Sequence, residues 1–191
     1  MSKLRNICFV LSFVFVLSTF AAAQTGAANQ PEKSYDVLLR VLVTSDGAAN
    51  LPSELSNVES QLKTVFPSAK FSLVNTFMGK AANGGSFSHK GITELALSGG
   101  DDAPVFSEFS LDGVRTAENK IQIDGFRYGM RVPVRIGEPG KTSPVLNYER
   151  IGLTVNRLTL TENSPTIVGT LTTSKSSEII VLVLTIKSDN L

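Results

Sequence analysis

The sequence predicts an α+β fold that is mainly β: a mostly antiparallel, sandwich-like sheet with one short helix near 53–66. Three patterns lead there. Phe126, Tyr128, Met130, Val132, Val134 and Ile136 are apolar at every second position, the period of a strand buried on one face. Leu55, Val58, Leu62, Val65 and Phe66 form the chain's one convincing stripe at helical period. Ile179–Ile186 is apolar and β-branched almost throughout, yet too short to span a bilayer as a helix, so it reads as the central strand of a sheet covered on both faces.

In order along the chain, Gln24–Ser34 is small and polar and reads as a flexible lead-in. Tyr35–Thr44 places Val37, Leu39, Val41 and Val43 on one face and Leu38 and Leu42 on the other, an interior strand ended by Asp46-Gly47. Asn50 or Ser53 is placed to cap the helix, Pro52 suits its first turn, and Pro67 stops it. Phe71–Met78 is a strand, Asn83-Gly84-Gly85 a turn, and Ser86–Leu97 a return strand. Beyond the loop at Gly99–Asp102 the pattern is all β. Val105–Leu111 is followed by a turn at Asp112-Gly113, and Lys120–Ile123 by a tight turn at Asp124-Gly125. Pro133 cannot donate to a ladder, which puts an edge or a bulge in the 126–136 strand. Gly137–Pro144 is a loop, Tyr148–Leu158 a strand, Thr159–Pro165 a turn, Thr166–Thr172 a strand and Lys175–Glu178 a turn. Residues 35–191 are expected to form a single β-rich domain, with a division near 99–103 into β-α-β and all-β parts as the alternative.

The amino terminus carries an export signal. Lys3 and Arg5 precede an apolar run, Ile7–Phe20, and Ala21-Ala22-Ala23 supplies a small-residue cleavage site. The competing reading is a membrane anchor, but the run is about 14 residues where a spanning helix needs roughly 20. Residues 1–23 are therefore expected to be a cleavable signal peptide and the protein periplasmic or secreted, with an outer-membrane association open. Cleavage takes Lys3 and Arg5 from the 18 basic residues and none of the 17 acidic ones, turning a net charge of +1 into −1. Such a balance argues against nucleic acid as a bulk electrostatic partner. The lone cysteine, Cys8, leaves with the leader, so neither a disulfide nor a thiolate metal site is expected. With no N-x-[ST] sequon either, the setting reads as a bacterial envelope.

No catalytic constellation stands out. His89 is the lone histidine, reads as solvent-facing, and is accompanied by no G-x-S-x-G elbow. Gly140-Lys141-Thr142 lacks the upstream glycine and the following helix of a phosphate loop. Asp101-Asp102 lacks calcium-loop spacing. No cofactor and no metal are expected. Arg127, Arg131 and Arg135 lie four apart on one strand face and form a basic stripe. Two readings stay open: a site for an acidic partner or lipid head groups, or a solvated face whose charges protect an edge.

Four segments carry a family resemblance. Arg131-Val-Pro-Val-Arg-Ile-Gly137 is followed by Asn147-Tyr-Glu-Arg-Ile-Gly-Leu-Thr-Val155, Pro165-Thr-Ile-Val-Gly169 and Ser177-Glu-Ile-Ile-Val-Leu-Val-Leu-Thr185. In this order, residues 126–187 resemble the carboxy-terminal domain of bacterial type II/III secretion secretins. Tyr35–Leu97 is similar, by element order, to the small α/β ring-building modules of such machines. Thr170 stands where the family pattern has a second glycine, and Ile186 where it has proline. The resemblance implies a β scaffold, self-association or an envelope protein as partner, and a secretion or pilus system as its setting. The function expected is a non-catalytic exported protein acting through protein contacts. The alternative is a small-ligand or lipid-binding β domain, with a hydrolase as a third class. Two of the four secretin-like strands lack a barrel strand's length or lipid face, so a water-soluble protein is expected, not a pore.

Overall fold

A computed structural model describes residues 33–47, 51–93, 103–136, 145–172 and 178–189. Residues 1–32, 48–50, 94–102, 137–144, 173–177 and 190–191 lie outside the described residues, and with them the signal-peptide, Asp101-Asp102 and Gly140–Thr142 readings and the end of the Ser86–Leu97 strand.

Nine strands and one helix are described: β1 (Ser34–Thr44), α1 (Ser56–Val65, entered through a 3-10 turn at Ser53–Leu55), β2 (Phe71–Ala82), β3 (Phe87–Thr93), β4 (Val105–Asp112), β5 (Arg115–Ala117), β6 (Lys120–Ile136), β7 (Val145–Thr161), β8 (Thr166–Thr172) and β9 (Ile179–Asp189). They form two antiparallel sheets. The first runs β2-β1-β9-β8. In the second, β3 pairs with β4, β4 and β5 share one side of β6, and β7 takes the other. The mainly-β fold predicted from the sequence is the fold observed.

The layers follow from which faces are apolar. β1 turns Val37, Leu39, Val41 and Val43, and β9 turns Ile180, Leu182, Leu184 and Ile186, onto a core shared with Phe109, Phe126, Tyr128 and Met130 of the second sheet. The opposite face of β9 offers Val181 and Val183. With Leu42 and Phe71 they meet Leu55, Val58 and Leu62 of the helical segment. β9 is thus the doubly covered central strand that its two apolar faces demand. The helical stripe buries three of its five members. Val65, where the helix ends, is 67% exposed, while Phe66 is half-buried against the Phe71 ring at 6.0 Å. Among the described residues no side chain caps the start: Pro52 precedes the 3-10 turn and Ser53 lies inside it, while Asn50 lies outside the described residues.

The return strand expected after Asn83-Gly84-Gly85 is β3, but it does not return onto β2. It pairs with β4 and opens the second sheet. The corner that carries the chain across is tied to both sheets, Asn83 N–H donating to Lys33 O and Gly84 N–H to Val114 O. Phe87 then packs where a side chain at residue 79 would sit, so Gly79 admits the crossing.

The two Asp-Gly pairs read as turns do not reverse the chain. β4 and β5 hold one register against β6 on either side of Gly113, and β6 runs unbroken through Asp124-Gly125. The inward positions do skip a residue there: Ile121 and Ile123, then Phe126 and Tyr128. β7 skips alongside, with Arg157 at φ 59°, and Gly113 sits at φ 63°. A bend line therefore crosses three strands. Glycine is needed on it because the carboxylate of Asp124 occupies the space beside Gly113, 2.2 Å from where a Cβ would lie. The real reversal is Glu118-Asn119, both left-handed at φ 52° and 60°, the two-residue hairpin conformation, between Ala117 and its partner Lys120.

β7 is longer than predicted, leaving only Glu162–Pro165 for the turn that follows, while β8 has the predicted bounds. Among the described residues, β6 at Pro133 pairs with β7 alone, since β4 pairs no further than Phe106↔Arg131. The edge expected of that proline is present.

Candidate functional site

The outer face of the second sheet carries the basic stripe. Alternation places Arg127, Gly129 and Arg131 of β6 outward, while Phe126, Tyr128 and Met130 are buried. The register then sets rows across the face. Arg131 is paired with Phe106 on one side and Arg150 on the other; Gly129 with Glu108 and Gly152; Arg127 with Ser110 and Thr154. β3 extends these rows with Ile92, Lys90 and Ser88.

The four cations share three partners. Arg127 donates to Asp112 Oδ2 at 3.3 Å. Arg131 lies over the Phe106 ring, 5.1 Å from its centroid, and Tyr148 packs against the same ring at 5.7 Å. Such a stack supplies about 0.5–1 kcal/mol where the pair is exposed. Glu108 accepts from Arg150 and has Lys90 Nζ at 4.0 Å. Arg127, Arg150 and Lys90 are mostly exposed, so these ion pairs position side chains more than they stabilise the fold. Arg135 continues β6 opposite Leu146, and its side chain lies outside the described set. Of the predicted stripe, two guanidinium groups are therefore placed on the open face.

Gly129 and Gly152 pair directly in the middle of this face; Gly152 is exposed, while the Glu108 side chain covers Gly129. A hollow of about 590 Å³ lies over them, adjoined by one of about 340 Å³ reaching Ile92 and Phe106. Residue 152 has to be glycine, because a Cβ there would meet the Tyr128 carbonyl oxygen at 2.7 Å.

Sequence reading missed Arg150, Glu108, Lys90 and Phe106 as members. The signal was present in part. Residues of β6 and β7 equidistant from the midpoint of the 137–144 segment pair with each other, which sets Arg150 beside Arg131. Nothing local marks Glu108 or Lys90, whose strands are joined to β6 only by the tertiary fold. His89 is half-buried on β3, its ring edge-on to Phe77 at 5.0 Å, and not the solvent-facing residue expected. The Tyr128 hydroxyl is buried with no hydrogen-bond partner among the described residues, and burial raises its pKa.

No family model matches the chain, and no curated protein matches it. Solved structures do. A structure of the V. cholerae type IV competence pilus secretin PilQ is similar at 11% identity with a TM-score of 0.43, covering 86% of this chain and 63% of that one. The secretin-domain β-barrel of InvG from the Salmonella SPI-1 injectisome is similar at 10% identity with a TM-score of 0.42, covering 93% of this chain and 68% of that one. The type II secretin GspD from enteropathogenic Escherichia coli gives 8% identity and a TM-score of 0.42, over 92% of this chain and 74% of that one. The chain spans less than two thirds of the PilQ chain it matches. The secretin resemblance read in residues 126–187 is thus met by a likeness of fold, and of fold alone.

Proposed function

We propose that this is a non-catalytic exported protein of the bacterial envelope. It acts through protein contacts made by the open edge of its second sheet, in the setting of a secretion or pilus system. The supporting observation is β7. Its 17 residues pair with β6 along their length, and among the described residues no strand pairs with its other side. An edge of this length is a template for an added strand, which gains main-chain hydrogen bonds without a preformed pocket. Ile151, Leu153 and Val155 stand half-buried on its inner side, so an added strand with apolar residues at alternate positions would extend the core. Under this reading residues 35–191 act as one domain behind a cleaved leader, and the added strand comes from an envelope protein or a second copy.

Site-specific photo-crosslinking in cells tests this. A photoreactive residue at Thr154 of β7 is expected to give a discrete adduct, and one at Asn57 on α1 none. Mass spectrometry then identifies either this chain or an envelope component. Absence of an adduct at Thr154, or equal adducts at both positions, defeats the proposal.

A further inference from the structure

The hollow on the outer face has a chemistry that the β7 edge does not use. Its floor is the Gly129–Gly152 pair, where Gly152 lies open to a ligand backbone and Gly129 lies under the Glu108 side chain. Hydroxyls of Ser88, Ser110 and Thr154 lie along one side. Arg131 and Arg150 stand side by side at the other, as register partners. Lys90, Arg127, Arg131 and Arg150 are four positive groups against the two carboxylates of Glu108 and Asp112. Arg131 has no carboxylate at ion-pair distance among the described residues; its neighbour is the Phe106 ring. The protein's own Glu108 already enters the hollow. It lies over Gly129, 3.2 Å from where a Cβ would be, and is held by Arg150.

We propose that this hollow docks an extended acidic protein segment, one of whose carboxylates bridges Arg131 and Arg150. Paired guanidinium groups suit a carboxylate, which can accept two parallel N–H bonds. The surplus of positive charge and the flat glycine floor select an extended, acidic strand-like ligand. Glu108 then competes with the ligand for Arg150, and the site works against its own counter-ion. This is a face and not an edge, so it stands whether or not β7 receives a strand.

The test is fluorescence anisotropy of the whole chain with a labelled peptide of alternating glutamate and threonine at low ionic strength. Arg131→Gln is expected to weaken binding by roughly three- to tenfold. Glu108→Gln is expected to tighten it, because Arg150 is released. Arg115→Gln, which breaks an exposed pair with Asp124 beyond the bend line, leaves it unchanged. The proposal is overturned by no binding, by weakening in Glu108→Gln, by equal loss in Arg115→Gln, or by binding to anionic phospholipid vesicles in preference to the peptide.

Discussion

The two sheets solve burial in opposite ways. In the first, β9 is apolar on both faces and both are covered, one by the second sheet and one by α1. In the second, β6 is apolar on one face only, and the other presents Arg127 and Arg131 to solvent, with Gly129 between them under the Glu108 side chain. The contrast teaches where to look for function. A strand apolar on both faces is committed to packing and has little freedom for anything else. A strand that alternates leaves half of its side chains free for recognition, provided that nothing covers that face.

Substitutions on the two strands give the widest test of this contrast. Leu182→Ala on the inner face of β9 is expected to cost about 2–5 kcal/mol of stability, and Val183→Ala on the helix side on the order of 1–3 kcal/mol. Arg127→Ala on β6 is expected to stay within about 1 kcal/mol, as an exposed charge paired with one carboxylate. Chemical denaturation measures all three. If Arg127→Ala cost as much as Val183→Ala, the outer face would be buried in solution by some contact, and the distinction between the sheets would fail.

How far this division could be read from residues depends on how local each signal is. The layer assignment of β9 was legible, because six consecutive apolar residues, Ile179–Leu184, have only one sensible environment. The bounds of β8 and the helical segment were legible from period and proline. The sheet to which β3 belongs was not, because a turn such as Asn83-Gly84-Gly85 has the same composition whether the chain returns to its own sheet or crosses to the facing one. The bend line misled for a similar reason. Asp112-Gly113 and Asp124-Gly125 match the hairpin signature, yet their glycines make room for carboxylates of the neighbouring strand, Gly113 for Asp124 and Gly125 for Asp112. Arg115 and Arg127 hold those carboxylates, so the cost of placing acids in a sheet is met across strands, out of sight of any local window. Arg127 and Arg131 were visible as a stripe on one strand. Arg150, Glu108, Lys90 and Phe106 entered through register.

Two buried tyrosines sharpen the comparison. Tyr35 of β1 has a satisfied hydroxyl: it donates to Asn83 Oδ1 at 3.0 Å and shares a hydrogen bond with Thr116 Oγ1 at 3.0 Å. Tyr128 of β6 faces the same core with an unpartnered hydroxyl. Removing each oxygen is expected to have opposite signs. Tyr35→Phe should cost about 0.5–1.5 kcal/mol, the net value of a lost hydrogen bond. Tyr128→Phe should be neutral or stabilising, since a buried polar group without a partner carries only its desolvation cost. Paired thermal or chemical denaturation decides it, and a comparable loss in both variants would mean that Tyr128 has a partner in solution.

The smallest expected effect concerns the turn that carries the chain from the open sheet back to the covered one. Glu162, just after β7, accepts hydrogen bonds from the backbone N–H of Ser188 at 2.9 Å and from its hydroxyl. Those bonds favour the charged carboxylate and hold its pKa below the ordinary glutamate value. A pKa lowered on folding means that the folded state binds the proton less well than the unfolded chain. The contribution is therefore complete above the unfolded value of about 4.3 and is lost as pH falls through the lower folded value. The wild-type midpoint should consequently drop more steeply than that of Glu162→Gln as pH is taken from 6 to below the ordinary glutamate range. Asp124 and Asp189, whose pKa values are also lowered, act in both proteins and cancel in the difference. Equal slopes for the two proteins would show that the Ser188 contacts do not hold Glu162 in solution, and that this turn is tied to β9 through bonds such as Asn163 N–H to Ile186 O instead.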